Sequence, residues 1–263
     1  MKKTKIEWCD SSWNPVTGCF HECPYCYAKR IAERFGGSIE TCPDGTLHEL
    51  EEKFYADPSA WIAKDGENLF RAYPWGFDPT FHKYRLQEPQ AWKKQRKIFV
   101  CSMADLFGEW VPDEWIEKVF TACENAPWHK YLFLTKNPAR YLQMGNDGKL
   151  PARHNMWYGT TITNPDSPYV FCSEASRNIF LSIEPILESM GTWSEDSAEK
   201  NIKWVIIGAE TGTRKGKVTP KKEWIDNIAG ECDKHGIPIF MKDSLVPIVG
   251  EENMRREFPE GLL

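Results

Sequence analysis

The feature that most constrains the fold of this chain is a set of short apolar runs in which polar residues hardly interrupt. Lys97-Ile98-Phe99-Val100-Cys101-Ser102 is the first clear one. Tyr131–Thr135, Met156–Thr160, Ile179–Ile183, Trp204–Gly208 and Ile237–Met241 follow. Strands with one wet face alternate apolar and polar residues. These do not, so both faces must be buried, as in a parallel sheet covered by helices. Parallel neighbours need long crossovers, and helix signals stand in the gaps. Pro112–Phe120 opens with Pro, Asp and Glu, as a helix N-terminus should. Thr219-Pro220-Lys221-Lys222-Glu223 offers a Thr cap with Pro in the first turn, and Asn137-Pro138-Ala139 repeats the device. The expected fold class is α/β: a full or partial parallel (β/α) barrel. A flat doubly wound sheet is the alternative, because periodicity does not decide closure.

A length of 263 residues suits one such domain, residues 1–263. The rhythm breaks between Gly36 and Arg96. Residues 37–96 read as an insertion after the first helix, carrying Phe70, Tyr73, Trp75, Phe77, Phe81 and Tyr84. Its aromatics argue for an ordered segment, expected to cover the barrel mouth as a lid or a docking surface. The formal charge of −5 does not advertise nucleic acid, although a local basic patch can exist on an acidic chain. No run approaches the ~18 apolar residues of a membrane span, and the basic start Met1–Trp8 has no apolar run behind it. Nine cysteines, scattered except for one cluster, are not a disulfide framework. The expectation is a cytoplasmic protein with no membrane partner.

The cluster is Gly18-Cys19-Phe20-His21-Glu22-Cys23-Pro24-Tyr25-Cys26, a C-x3-C-x2-C spacing. Three thiolates this close converge only if the segment wraps round something, and soft thiolates suit zinc, copper(I) or iron–sulfur clusters. No further Cys follows within fifteen residues, so the local ligand set stops at three. Structural zinc wants four protein ligands, which would require Cys9 or His21 as the fourth. A four-iron cluster held by three cysteines leaves one iron open to a small molecule.

The spacing, with Tyr25 directly before the third Cys, resembles the signature of the radical S-adenosylmethionine (SAM) superfamily. The stretch Lys5-Ile6-Glu7-Trp8-Cys9-Asp10-Ser11-Ser12-Trp13-Asn14-Pro15-Val16-Thr17-Gly18 is similar to the opening of a phage- and prophage-associated three-Cys-motif family of uncharacterised proteins. Cys101–Trp110 and Ile206–Gly212 resemble that family too. The resemblance implies a radical SAM barrel in which Cys19, Cys23 and Cys26 hold a four-iron four-sulfur (4Fe-4S) cluster. Its open iron chelates SAM, and an electron from a donor such as flavodoxin or ferredoxin cleaves SAM to methionine and a 5′-deoxyadenosyl radical. By the same pattern Tyr25 lies near the adenine, and Ser102 and Asp105 stand where the methionine amino group is held. Gly208 stands on the later adenine-site strand. With no Cys-rich C-terminal extension, a single cluster is expected.

Chemistry in a strand–helix barrel gathers at the C-terminal strand ends. The predicted ends carry Ser102 and Asp105, then Thr135 and Lys136, then Thr160, Thr161 and Asn164. Ser182 and Glu184, Glu210 and Thr211, and Lys242 and Asp243 complete the series. Thr160, Thr161 and Asn164 suit ribose hydroxyls or a carboxylate. Glu184, Glu210 and Lys242 are the candidate catalytic charges, with an ion-pair lattice through Lys136 and Lys242 as the structural alternative. Cys101 and Cys172 are candidate hydrogen-atom donors, though a strand Cys is more often a small hydrophobe. The basic run Trp92–Lys97, with the aromatics at 70–84, offers a stacking-plus-phosphate surface or simply a solvated helix end. The phage-type resemblance, taken with this segment, implies a nucleobase or nucleic-acid substrate ahead of a peptide or small molecule. A zinc-stabilised module binding nucleic acid or protein is the reading from another class.

Overall fold

The computed structural model describes residues 4–36, 45–54, 71–167, 177–193 and 201–263. Its strands are β1 (Ser11–Trp13), β2 (Val16–Thr17), β3 (His48–Leu50), β4 (Thr80–His82), β5 (Lys97–Val100), β6 (Lys130–Thr135), β7 (Met156–Ile162), β8 (Asn178–Ile183), β9 (Ile202–Ile207) and β10 (Ile239–Met241). The helices are α1 (Tyr27–Phe35), α2 (Glu88–Ala91), α3 (Asp113–Glu124), α4 (Ala139–Asn146), α5 (Lys222–His235) and α6 (Val246–Val249). Seven strands form one sheet in the order β1-β5-β6-β7-β8-β9-β10, and every pairing from β5 to β10 is parallel. Consecutive order without a reversal excludes the doubly wound alternative, which needs a switch point. The sheet ends at β1 and β10, so the barrel is partial.

The chain divides into two compact units. One takes in Met1–Ser11, Gln95–Phe99 and Pro127–Leu263, the other Ser12–Lys94 and Val100–Ala126. In the first, both strand faces are buried as the apolar runs require. Ile179, Leu181 and Ile183 of β8, Val205 and Ile207 of β9, and Ile239 and Met241 of β10 pack with Ile225 and Ile228 of α5. The residues between them, Phe180, Trp204, Ile206 and Phe240, join Trp8, Phe99 and Trp157 in a second cluster. Here lies much of the aromatic excess: it is core, at roughly 1.5–3 kcal/mol per fully buried large side chain. Gly159 makes room for it, since a Cβ there would stand 2.3 Å from the Phe180 ring.

In the second unit β2, β4 and β3 form a separate three-stranded sheet. Strands of two or three residues carry no readable period, so the sequence shows only a break in rhythm there. The insertion thus contributes β3, β4 and α2. Its residues 37–44 and 55–70, with Phe70, lie outside the described residues, as does Cys172. Two helix starts differ from expectation. Helix α5 begins at Lys222 with Lys221 as its cap residue, because Pro220 holds the preceding chain extended and Thr219 falls outside the helix. Helix α4 has Pro138, not Asn137, at its cap position.

Candidate active site

The cysteine loop is built on β2. Val16 pairs with Phe81 and Thr17 with Thr80 of β4. Beneath it the Thr17 hydroxyl stands 2.8 Å from His82 Nε2, both buried. Burial, aided by the Arg85 charge, pushes His82 down to about 3, so its ring is neutral at ordinary pH. Gly18 comes next with φ of 89°. A Cβ at Gly18 would lie 2.2 Å from the Asp78 carbonyl oxygen, so only glycine lets the chain turn here. The Gly18 N–H donates to the Met103 carbonyl at 2.9 Å and the Cys19 N–H to the Phe77 carbonyl at 3.0 Å. Glu22, with φ of 51°, supplies a further left-handed turn, and the Cys26 N–H closes on the Cys23 carbonyl at 3.0 Å. Cys26 then caps α1, its Sγ accepting the Lys29 N–H at 3.3 Å. Sulfur is a weak acceptor, so capping strength is no reason for a Cys here.

Residues 101–110 hold the loop from the other side. Strand β5 stops at Val100 because Cys101 takes a left-handed φ of 58°, a cost of about 1–3 kcal/mol for a non-glycine residue. Asn14 Oδ1 accepts both the Ser102 hydroxyl at 3.1 Å and the Met103 N–H at 3.0 Å. The Tyr27 hydroxyl donates to the Ser102 carbonyl at 2.5 Å. Asp105 is buried, with Oδ2 2.7 Å from His21 Nε2 and Oδ1 accepting the Phe107 N–H at 3.0 Å. The Trp110 ring stands edge-on to Phe20 at 5.4 Å and to His21 at 4.9 Å. Tyr25 is half-buried between the second and third cysteines.

Burial pushes the Cys19 thiol up to about 12; the His21 backbone N–H pulls it back, while Asp105, Cys23 and Cys26 push it further up. Cys23 and Cys26 are thus near enough to be felt at the Cys19 sulfur. Among the described residues no three His, Cys, Asp or Glu side chains stand as a ready-made site for a single ion. Soft thiolate donors of this kind suit zinc, copper(I) or an iron–sulfur cluster, any of which would release protons on binding.

The strand ends of β7 to β10, in the other unit, present a different picture. Lys242 Nζ bonds Glu184 Oε1 directly. Gly208 leaves room for that pair: a Cβ there would meet Glu184 Oε1 and Lys242 Cδ, each at 3.1 Å. Buried Glu210 is held in a two-pronged pair by Arg214, Nε to Oε1 at 2.7 Å and Nη2 to Oε2 at 2.8 Å. Those bonds hold its carboxyl below the usual range. Thr160 is buried on β7 and Thr161 half-buried beside it. Asn164 sits in a turn where its Oδ1 accepts the Ser167 hydroxyl at 3.1 Å.

The structure therefore brings Cys19, Cys23, Cys26, Tyr25, Ser102 and Asp105 into one unit, and Glu184, Gly208, Glu210, Lys242, Thr160, Thr161 and Asn164 into the other. Asn14, His21, Tyr27 and Arg214 hold these groups in place, and the first three carry no sequence signal as polar partners, because each acts through a contact the chain must fold to make. Arg214 alone is legible, as an Arg four residues after a Glu that closes an apolar run. Part of the aromatic-basic segment is engaged within the fold, while Lys93 and Lys94 are exposed and Tyr73, Trp75, Phe77 and Tyr84 are half-buried. Trp75 stacks on His48 at 4.2 Å and Phe81 on Trp115 at 5.2 Å. Arg96 bonds Ser11 and Lys97 lies over Phe258 at 4.0 Å. Cys101 is fully buried, with its thiol pushed up to about 12, as a small hydrophobe would be.

Residues 3–246 match the profile of a family described as "Protein of unknown function (DUF5131)". No curated protein matches the chain. Among solved structures a cysteine-to-serine mutant of spore photoproduct lyase is similar at a TM-score of 0.49 and 9% identity, over 92% of this chain and 80% of that one.

Proposed function

We propose a radical SAM activity for this chain, which belongs to the DUF5131 family of proteins of unknown function. The observation that carries the reading is the cysteine loop: three thiols on a C-x3-C-x2-C segment, close enough that Cys23 and Cys26 help to raise the Cys19 thiol, fixed by Gly18, Asn14 and Asp105. When bound there by Cys19, Cys23 and Cys26, a four-iron four-sulfur cluster with an open iron supplies the electron that cleaves the sulfonium bond of SAM to a 5′-deoxyadenosyl radical. The chain's own part is to hold and orient. Gly18 and Glu22 set the loop's turns, and the His21 N–H faces the Cys19 sulfur. Asp105 keeps His21 in place, a role that occupies the carboxylate otherwise expected on the SAM amino group. Tyr25 and Ser102 remain the proposed cofactor contacts of the loop, and Thr160, Thr161, Asn164 and Gly208 those of the strand ends. Glu184 and Lys242 neutralise each other, as do Glu210 and Arg214, so both pairs are proposed to shape the rim and not to move protons.

The zinc reading is disfavoured by what Cys9, one of its candidate fourth ligands, does: it is buried and directs its sulfur at the Ile6 carbonyl, 3.9 Å away, in a core cluster. For substrate, the phage-type resemblance points to a nucleobase or nucleic acid. Anaerobically reconstituted protein given SAM and dithionite should release 5′-deoxyadenosine and methionine in equal amounts. A brown, reducible protein that never forms 5′-deoxyadenosine, with or without oligonucleotides, contradicts the reading.

A further inference from the structure

Six large hydrophobic side chains are exposed among the described residues: Tyr27, Ile31, Phe35, Leu47, Trp128 and Leu263. Three of them lie on α1 at i, i+4 and i+8, which is one face of a helix. They are 44%, 37% and 57% exposed, while Ala28 and Ala32 of the same helix are buried. An apolar stripe left outward on a short amphipathic helix is the usual mark of an interaction surface. Its rim is basic. Lys29, Arg30 and Arg34 are exposed on α1 against the single acid Glu33, in a chain whose net charge is −5. The Arg34 guanidinium lies 5.4 Å from the Phe35 ring, so charge and apolar surface are interleaved.

The helix also starts at the third cysteine, with Cys26 as its cap. Nine residues rise only about 13 Å, so any protein seated on this stripe lies within that span of a cluster ligand. Electron transfer falls off steeply with distance, and the proposed activity needs one electron delivered to this loop. Electron-transfer contacts are small, with an apolar centre and a charged rim that steers the encounter.

We propose that the outer face of α1 docks an acidic one-electron carrier protein of the flavodoxin or ferredoxin kind. The inference rests on the radical SAM reading and names the partner of that site. In the step itself one electron leaves the reduced carrier, which is oxidised by one. The iron held by Cys19, Cys23 and Cys26 gains that electron, and no proton or bond is exchanged. The basic rim selects an acidic carrier, and the stripe of Ile31 and Phe35 fills the centre of the contact.

The test compares two reductants on the reconstituted full chain, following bleaching near 400 nm by stopped flow. One is fully reduced flavodoxin, the other dithionite, which needs no docking surface. Arg30→Glu with Arg34→Glu should slow reduction by flavodoxin roughly tenfold and flatten its dependence on salt, with the dithionite rate unchanged. Ile31→Ser with Phe35→Ser should slow flavodoxin while leaving the salt dependence in place. Unchanged flavodoxin rates in both double variants overturn the inference and leave the function reading standing. A wild-type dimer that these variants split, with flavodoxin rates intact, assigns the face to a second copy and overturns it equally. A chain that takes up no cluster overturns the function reading and this inference together.

Discussion

The cysteine loop and the strand-end rim are both polar and partly buried, yet they solve their electrostatics in opposite ways. On the rim each buried or half-buried carboxylate has a cation from the chain itself: Lys242 for Glu184 and Arg214 for Glu210. In the loop, Cys19, Cys23 and Cys26 stand close enough for their charges to be felt at the Cys19 sulfur, and Asp105 bonds the His21 ring. A rim paired within the chain is complete as folded, whereas clustered thiols are donors that a bound metal group would complete. On the function proposed above, that difference puts the chemistry in the loop and the architecture on the rim.

The sharpest way to break the comparison is Cys23→Ala. We expect complete loss of iron and of the absorption near 400 nm, with 5′-deoxyadenosine below detection, whereas Glu184→Gln keeps its full iron content. Equal iron loss in both variants would make the two regions one functional unit. Next comes Gly18→Ala, which adds left-handed strain to a clash with the Asp78 carbonyl. It should cost about 3 kcal/mol in chemical denaturation and depress iron uptake. Gly148, also left-handed but with nothing near its Cβ position, is the control and should lose only the left-handed strain, about 1–2 kcal/mol as Ala.

The pH dependence of stability comes third. His82 titrates near 3 folded and near 6.5 unfolded, so above about 6.5 neither state binds the proton and its contribution is complete. As pH falls below that, the unfolded chain takes up a proton that the folded one refuses. Stability should drop by up to about 1.4 kcal/mol per pH unit, or about 2 kcal/mol between pH 6.5 and 5. Urea midpoints at pH 7.5 and 5.0 measure this, and His82→Gln should remove most of the slope. A smaller effect follows from Asp105→Ala, which frees His21. Iron should pass to a chelator at least about tenfold faster, with Asp105→Asn intermediate. Smallest of all is Lys242→Met. We expect a loss of about 1 kcal/mol and little change in SAM cleavage, and a collapse of activity at unchanged stability would move Lys242 from the architecture to the chemistry.

Much of this was legible in the chain. Apolar runs without alternation announced β6 to β9 nearly residue for residue, because strands buried on both faces have no polar positions to confuse the pattern. The closure of the sheet was not legible, since order and ends depend on which strands pair. The small sheet of β2, β3 and β4 was missed because elements of two or three residues fall below any periodicity. The cysteines stood out by spacing alone. Asp105 was picked for its place after a strand, but its job required seeing Cys101 turn the chain with a φ of 58° and deliver the carboxylate to His21. Trp75 and Phe81 read as a stacking surface and proved to be stacked already, on His48 and Trp115. Composition reports how many aromatics a chain has, never which ones face outward.

The central claim, that Cys19, Cys23 and Cys26 hold an open iron–sulfur cluster, is tested most directly by metal and sulfide analysis of anaerobically reconstituted protein. The account predicts about four irons and four sulfides per chain, a brown colour that fades on reduction, and none of these in Cys23→Ala. Colourless protein carrying one zinc per chain, lost in the same variant, would contradict it.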